Sequence, residues 1–125
     1  MAIPCIVVTP RAAALAAFLK GLSASGELAV EVADDGASAL EKVKGGGSGL
    51  VVVDEGLPDR DSLAMVIDVL MANAMFNTAM ITSMTPEEFE DKSEGYGVLR
   101  GLPFEPTEQD GRELCGQAVG VIGCQ

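Results

Sequence analysis

Hydrophobic residues along the chain fall into two alternating patterns. Short runs rich in β-branched residues predict strands, and longer stretches with apolar residues three or four positions apart predict helices. The predicted strands cover residues 6–8, 28–32, 50–53, 79–81 and 98–101. A helix is predicted after each strand, and this alternation is typical of a parallel sheet covered by helices on both faces.

Capping residues predict where the helices begin, and apolar stripes predict which side of each helix faces the core. Thr9 with Pro10 predicts a helix start, Thr85 with Glu88 predicts a capping box, and the last helix is predicted to begin near Thr107. The third helix is predicted over residues 62–74. The residues predicted to face the core are Leu15, Phe18, Leu19 and Leu22 in the first helix, Ala39, Leu40 and Val43 in the second, Leu63, Val66, Ile67 and Leu70 in the third, and Leu114, Ala118 and Val121 in the last.

Length and composition narrow the class of protein. The 125 residues predict one domain, residues 1–125, with an aliphatic core, since 48% of residues are hydrophobic and 4% aromatic. We expect neither a membrane span nor a signal peptide, because the chain holds no long apolar run and no basic N-terminal segment. The absence of histidine argues against a zinc site. The cysteines are odd in number and lack the spacing of metal ligands, which favours reduced thiols in a cytoplasmic protein; they are Cys5, Cys115 and Cys124.

The charge pattern bears on partners. A formal charge of −11 argues against nucleic-acid binding. Nine acids lie within residues 87–113, which favours either a solubilising face or a surface for a partner. The third helix carries a second apolar face, formed by Met65, Val69 and Met71. This face is either packed in the core or exposed as a patch for self-association or docking. Tyr96 is either a loop aromatic or an interface anchor.

The stretch VVVDEGLPD at residues 51–59 ends a buried strand on Asp54. In a parallel sheet, sites lie beyond the carboxyl ends of the strands, so Thr9, Asp54, Thr82 and Leu102 are predicted around one rim. An aspartate there can attack phosphorus when a metal and a cation neutralise the phosphoryl group. Thr82 or Ser83 supplies a nearby hydroxyl. The sequence offers few candidates for the metal-binding carboxylates and the cation that phosphoryl transfer also needs.

Four stretches carry a family resemblance. VVVDEGLPD, VEVADDGASAL (30–40), MITS (80–83) and GYGVLRGLPF (95–104) occur in the order and spacing of known motifs. Together they resemble the receiver domain of two-component response regulators over almost the whole chain. The resemblance puts Asp54 at the phospho-acceptor position, Thr82 at the conserved-hydroxyl position, and Gly56 and Pro58 in the turn after the acceptor.

The resemblance implies both a fold and a function. The fold would be a flavodoxin-like, doubly wound three-layer α/β sandwich, with a five-stranded parallel sheet of order 2-1-3-4-5 and five helices. The function would be bacterial, cytoplasmic phosphorelay signalling, by a module that is not an enzyme. Its protein partner would be a sensor kinase or a downstream effector, and a homodimer is a further candidate.

The chain departs from the family at several site positions. Thr9 and Pro10 stand where the family has its magnesium-binding acids, Leu102 where it has a lysine, and Leu99 where it often has a switch aromatic. The chain therefore resembles a degenerate receiver, or pseudo-receiver, with no cofactor and with weak or absent Mg²⁺ binding. Arg11 is a candidate charge partner that would neutralise Asp54 in place of metal and lysine.

These departures shape the functional hypotheses. We expect a receiver-like module that acts through protein contacts, at the surface of the fourth helix, fifth strand and fifth helix, with phosphotransfer impaired or absent. The alternative is a functional phospho-accepting receiver. A third hypothesis, a flavodoxin-like small-molecule-binding protein or enzyme, requires a phosphate-binding loop after the first strand, and residues 9–13 supply one hydroxyl and no glycine for it.

Overall fold

The computed structural model describes residues 2–123, which form a five-stranded parallel sheet between two layers of helices. The strand order is β2-β1-β3-β4-β5, as predicted. The strands are β1 (Ile3–Val8), β2 (Leu28–Ala33), β3 (Gly49–Val53), β4 (Phe76–Ile81) and β5 (Val98–Leu102). The helices are α1 (Ala16–Ser23), α2 (Gly36–Lys44), α3 (Ser62–Ala72), α4 (Pro86–Ser93) and α5 (Glu108–Ile122), and a 3₁₀ turn (Ala12–Leu15) precedes α1.

The core is divided by the sheet, because successive strand residues point to opposite faces. Cys5 and Val7 of β1 join a cluster with α1 and α5 on one face. Ile6 and Val8 join the cluster with α2, α3 and α4 on the other face. Strand β3 is buried along its whole length, as expected for a central parallel strand.

Several helix faces differ from the prediction. In α3 the buried residues are Met65, Val66 and Val69, whereas Leu63, Ile67 and Leu70 are half-buried. In α5 Val121 is 38% exposed, and Cys115 and Ile122 are buried instead. Leu19 of α1 and Leu40 of α2 are also half-buried, so each stripe is narrower than predicted. The rotation of each helix is set by its neighbours, which the helical period alone does not determine.

The helix starts are partly as predicted. Thr85 and Glu88 form the expected capping box of α4, and Thr107 forms a similar box with Asp110 at the start of α5. The predicted cap at Thr9 is wrong: its hydroxyl accepts a hydrogen bond from the Arg11 backbone N–H (3.0 Å), but no helix begins there. The 3₁₀ turn begins only at Ala12, and the Thr9 hydroxyl also donates to a distant side chain, described below.

The composition also predicted reduced cysteines and no membrane-spanning segment. Cys5 and Cys115 are buried free thiols, and burial raises the pKa of Cys5 to about 12. Cys124 lies outside the described residues. Among helices within residues 2–123, none has the length and apolar character needed to cross a bilayer.

Helices α1 and α5 pack closely through two glycines. A Cβ atom on Gly111 would collide with the carbonyl oxygen of Phe18, and one on Gly21 would collide with that of Glu108. The backbones approach so closely that neither position has room for a side chain. This contact fixes α5 against α1, on the face of the sheet that carries the Cys5 and Val7 cluster.

We expect Gly111→Ala to lower the free energy of unfolding by about 2 kcal/mol, because overpacking forces the two helices apart. Gly116→Ala is the matched control on the same helix, since its Cβ would meet no atom within 4 Å. Better helix propensity should raise its stability by up to about 1 kcal/mol. Urea denaturation measures both variants, and equal effects would contradict the close contact.

Candidate functional site

The ends of three strands bring the predicted site residues to one rim. Thr9 follows β1, Asp54 follows β3 and Thr82 follows β4. Their backbones continue the sheet for one more residue: the Asp54 N–H donates to Val8 O at 3.0 Å, and the Thr82 N–H donates to Leu102 O at 2.9 Å. The rigid central strands therefore hold Asp54 in a fixed position.

Asp54 is fully buried, with 0% exposure, and four donors satisfy its carboxylate. The Thr9 hydroxyl donates to Oδ2 at 2.7 Å, and the backbone N–H of Glu55 donates to Oδ1 at 2.8 Å. Arg11 supplies the other two bonds, from Nε to Oδ2 at 2.7 Å and from Nη2 to Oδ1 at 2.8 Å. This bidentate geometry is the strongest form of an arginine–carboxylate pair.

Arg11 reaches across the rim to a third loop. Its Nη2 also donates to the carbonyl oxygen of Phe104 at 2.7 Å, and its guanidinium lies 4.0 Å from the centre of the Phe104 ring. The hydrogen bonds to Asp54 raise the pKa of Arg11, so the guanidinium stays charged at any physiological pH. One side chain thus joins the segments after β1, β3 and β5.

The conserved-hydroxyl position takes no part in this cluster. Thr82 is nearly buried, and its hydroxyl accepts a hydrogen bond from the backbone N–H of Met84 at 3.1 Å. Within the described residues, no hydrogen bond joins Thr82 to Asp54. The structure therefore brings Thr9, Arg11 and Asp54 together and leaves Thr82 beside them.

Glu55 connects two loops of the rim. Its carboxylate accepts two hydrogen bonds from Ser83, one from the backbone N–H at 3.1 Å and one from the hydroxyl at 2.9 Å. It therefore ties the loop after β3 to the loop after β4. Gly56 follows with φ = 78°, a conformation that favours glycine, and Pro58 is exposed in the same turn.

Apolar or exposed residues stand at the other departures from the family. Leu102 is buried at 3% exposure in the cluster with α1 and α5, and Leu99 packs partly against that cluster. Pro10 is exposed. None of these three side chains offers a charge or a ligand atom to Asp54.

The residues around Asp54 do not fit a magnesium ion. Mg²⁺ needs oxygen ligands at about 2.1 Å in octahedral geometry, including carboxylates. Two nitrogens of a cationic guanidinium lie within 2.8 Å of the Asp54 oxygens, so a divalent ion there would meet both a steric block and like charge. Across residues 2–123, no cluster of three or more acidic, cysteine or histidine side chains is placed to hold a metal.

Comparison with known proteins identifies the fold. A receiver domain protein described as CheY-like, from Methanospirillum hungatei JF-1, superposes with a TM-score of 0.83 at 18% identity, covering 99% of this chain and 98% of that one. CheY4 of Vibrio cholerae gives 0.79 at 18% identity, covering 94% and 99%. The receiver domain of an HD domain-containing protein from Pseudomonas fluorescens Pf-5 gives 0.81 at 17% identity, covering 98% and 90%.

The chain has the receiver-domain fold. No family model matches the sequence, and no curated protein matches it. At such low identity the likeness concerns the fold, and the chemistry of the rim has to be argued from this chain's own side chains.

Sequence reasoning missed three partners at this site. The Thr9 hydroxyl was assigned to a helix cap, the Glu55–Ser83 bridge was not foreseen, and Phe104 was noted only as part of a motif. Each partner comes from a different strand end, so local pattern carries no signal for these bonds. The shared rim was the one available signal, since it places the loops after β1, β3, β4 and β5 together.

We expect Arg11→Ala to lower the free energy of unfolding by about 3 kcal/mol, because it leaves a buried carboxylate without its charge partner. Arg112→Ala is the matched control, since Arg112 forms an exposed ion pair with Glu108 at 2.8 Å. Its loss should cost less than about 1 kcal/mol. Urea denaturation at neutral pH compares them, and similar effects would show that Arg11 does not stabilise Asp54.

Proposed function

We propose that this chain is a receiver-like signalling module that works through protein–protein contacts and does not accept a phosphoryl group. The bidentate Arg11–Asp54 pair is the observation that carries the proposal. In this account Asp54 keeps the acceptor position of a pseudo-receiver, and Arg11 provides the neutralisation that metal and lysine provide in the family that the sequence resembles.

Burial and charge both oppose phosphotransfer. To attack phosphorus, a carboxylate oxygen must present a free lone pair in line with the leaving group. Asp54 is fully buried, and Arg11 covers both of its oxygens. A phosphorylated Asp54 would carry roughly two negative charges in a site without the metal ligands that stabilise them. Arg11 would have to leave both oxygens before any reaction.

The alternative function, a phospho-accepting receiver, has one observation in its favour. The Arg11 side chain is 23% exposed, so it has a route to swing outward and then bind the phosphoryl oxygens as their cation. Thr82 would supply the hydroxyl. This route would break the two hydrogen bonds from Arg11 to Asp54 and the one to the Phe104 carbonyl oxygen before the transition state forms, which is why we favour the fixed pair.

A signalling module with one fixed conformation can act on a partner only through contacts at its surface. A groove between α4 and β5 is lined by Met84, Phe89 and Leu102 and lies next to the rim. By resemblance this face is the usual output surface, and the Glu55–Ser83 bridge would hold the loop that leads into it in one state. A sensor kinase or an effector protein would then meet a permanent conformation.

We expect no phosphoryl adduct when the protein is incubated with acetyl phosphate and Mg²⁺, as read by intact mass. The physical reason is that both Asp54 oxygens are covered and the residues around them do not fit the metal. A receiver domain known to be phosphorylated serves as the positive control for the donor. A stoichiometric adduct that disappears in Asp54→Asn would establish the alternative.

A further inference from the structure

Helix α4 covers its part of the sheet poorly. None of its eight residues is buried, and only Phe89 and Ser93 are half-buried. Phe89 packs on Gly101 of β5, where an added Cβ atom would lie 3.1 Å from the ring. Beside this contact a groove of about 590 Å³ opens between α4 and the end of β5. We call it the α4–β5 groove.

The walls of the α4–β5 groove are mostly apolar and partly open to solvent. Leu102 is buried within it, and Met84 and Phe89 are half-buried. The rings of Pro86 and Pro103 are exposed at its edges. An apolar side chain placed here would gain free energy by leaving water, and the flexible Met84 side chain can adapt to its shape.

A hollow with acidic walls continues the groove toward the start of β5. It is lined on one side by Val98 and on the other by the carboxylates of Glu87, Glu90, Asp91 and Glu94. Glu90 lines both the hollow and the α4–β5 groove, so the two regions are continuous. Within residues 2–123, none of these four carboxylates forms an ion pair.

The basic residues of α4 and β5 are directed to other parts of the molecule. Lys92 of α4 lines the cleft toward α3, together with Leu63. Arg100 of β5 pairs with Glu113 of α5 at 3.6 Å. The acidic hollow therefore keeps the full charge of its four carboxylates, and their mutual repulsion favours a cationic partner.

We propose that the α4–β5 groove and the acidic hollow together dock a basic segment of a partner protein. One large apolar side chain of that segment would insert beside Met84 and Phe89, and its lysines or arginines would lie over Glu90 and Asp91. The two regions lie at opposite ends of the five-residue strand β5, about 13 Å apart at 3.3 Å per residue. An extended segment spans this distance with about four residues between anchor and cation.

Charge argues for this partner and against a second copy of the chain. Each copy carries a net charge of −11, so self-association through this face would bring two sets of unpaired acids together. A basic segment removes that repulsion and buries the same apolar side chains. The opposite charges also speed the encounter and fix the orientation of the segment.

The inference rests on the proposed function in that it assumes output through protein contact, and it adds the chemistry of the partner. Its test uses no phosphodonor. A phosphoryl adduct on Asp54 would refute the proposed function without touching a binding measurement at this groove. Failure of the groove to bind would leave the covered Asp54 carboxylate as it is.

The probe is a peptide of about ten residues with one phenylalanine, a spacer of four glycines and serines, and three lysines. It is made with the lysines before or after the phenylalanine, and the tighter version reports the chain direction. We expect binding to the wild-type protein in isothermal titration calorimetry. Met84→Gln should weaken it about tenfold, because the anchor loses its apolar contact. Met71→Gln, the same change at an 82% exposed position on α3, should bind as wild type.

A second pair of variants tests the acidic hollow. Glu90→Gln/Asp91→Asn should lower the affinity by roughly threefold per charge at low ionic strength and flatten its salt dependence. Glu27→Gln/Asp34→Asn removes the same charge from exposed positions elsewhere and should have a much smaller effect. A peptide with glutamates in place of the lysines should not bind.

NMR locates the bound peptide. The backbone amide signals of Glu90 and Gly101 should shift during the titration, whereas those of Gly21 and Gly116, on the opposite face of the sheet, should stay in place. Thermal melts of each variant, compared with wild type, separate lost binding from lost folding.

Three results would overturn the proposal. The first is no binding of either basic peptide. The second is binding that Met84→Gln and Glu90→Gln/Asp91→Asn both leave unchanged. The third is a wild-type dimer in light scattering that Met84→Gln converts to a monomer, which would make a second copy the occupant of the groove.

Discussion

A carboxylate with no exposure to water dominates the energetics of the rim. Burying Asp54 would be very costly unless its charge and its lone pairs were satisfied, and Arg11 satisfies both through two hydrogen bonds at 2.7 and 2.8 Å. Because Thr9 and the Glu55 backbone supply the remaining donors, the carboxylate is fully compensated from within the chain.

The same interaction organises the loops. Arg11 also binds the Phe104 carbonyl oxygen and stacks on its ring, so the segments after β1, β3 and β5 are joined at one guanidinium. Glu55 extends the connection to Ser83 after β4. Here every loop on the rim is held by charge-assisted bonds, which agrees with a module of fixed conformation.

The fold was largely predictable, and the site was predictable only in part. Short apolar runs located all five strands, since the central strand β3 is nearly continuous in buried apolar residues, although β5 (VLRGL) is mostly half-buried. Arg11 could be named as a partner of Asp54 because both follow strand ends. Thr9 was assigned to a helix cap, and local pattern gave no sign that its hydroxyl donates to a residue 45 positions away. The outer face of α3 was mistaken for the inner one, since helical period does not show which stripe meets the sheet.

We propose that Arg11 stays bound to the Asp54 carboxylate at all times. The most direct test follows the Arg11 Nε–H signal by heteronuclear NMR while Mg²⁺ and then acetyl phosphate are added. The account predicts a resolved signal, protected from exchange by its bond to Asp54 Oδ2, that neither addition moves. A signal that shifts or exchanges rapidly with Mg²⁺, followed by a phosphorylated Asp54, would contradict it.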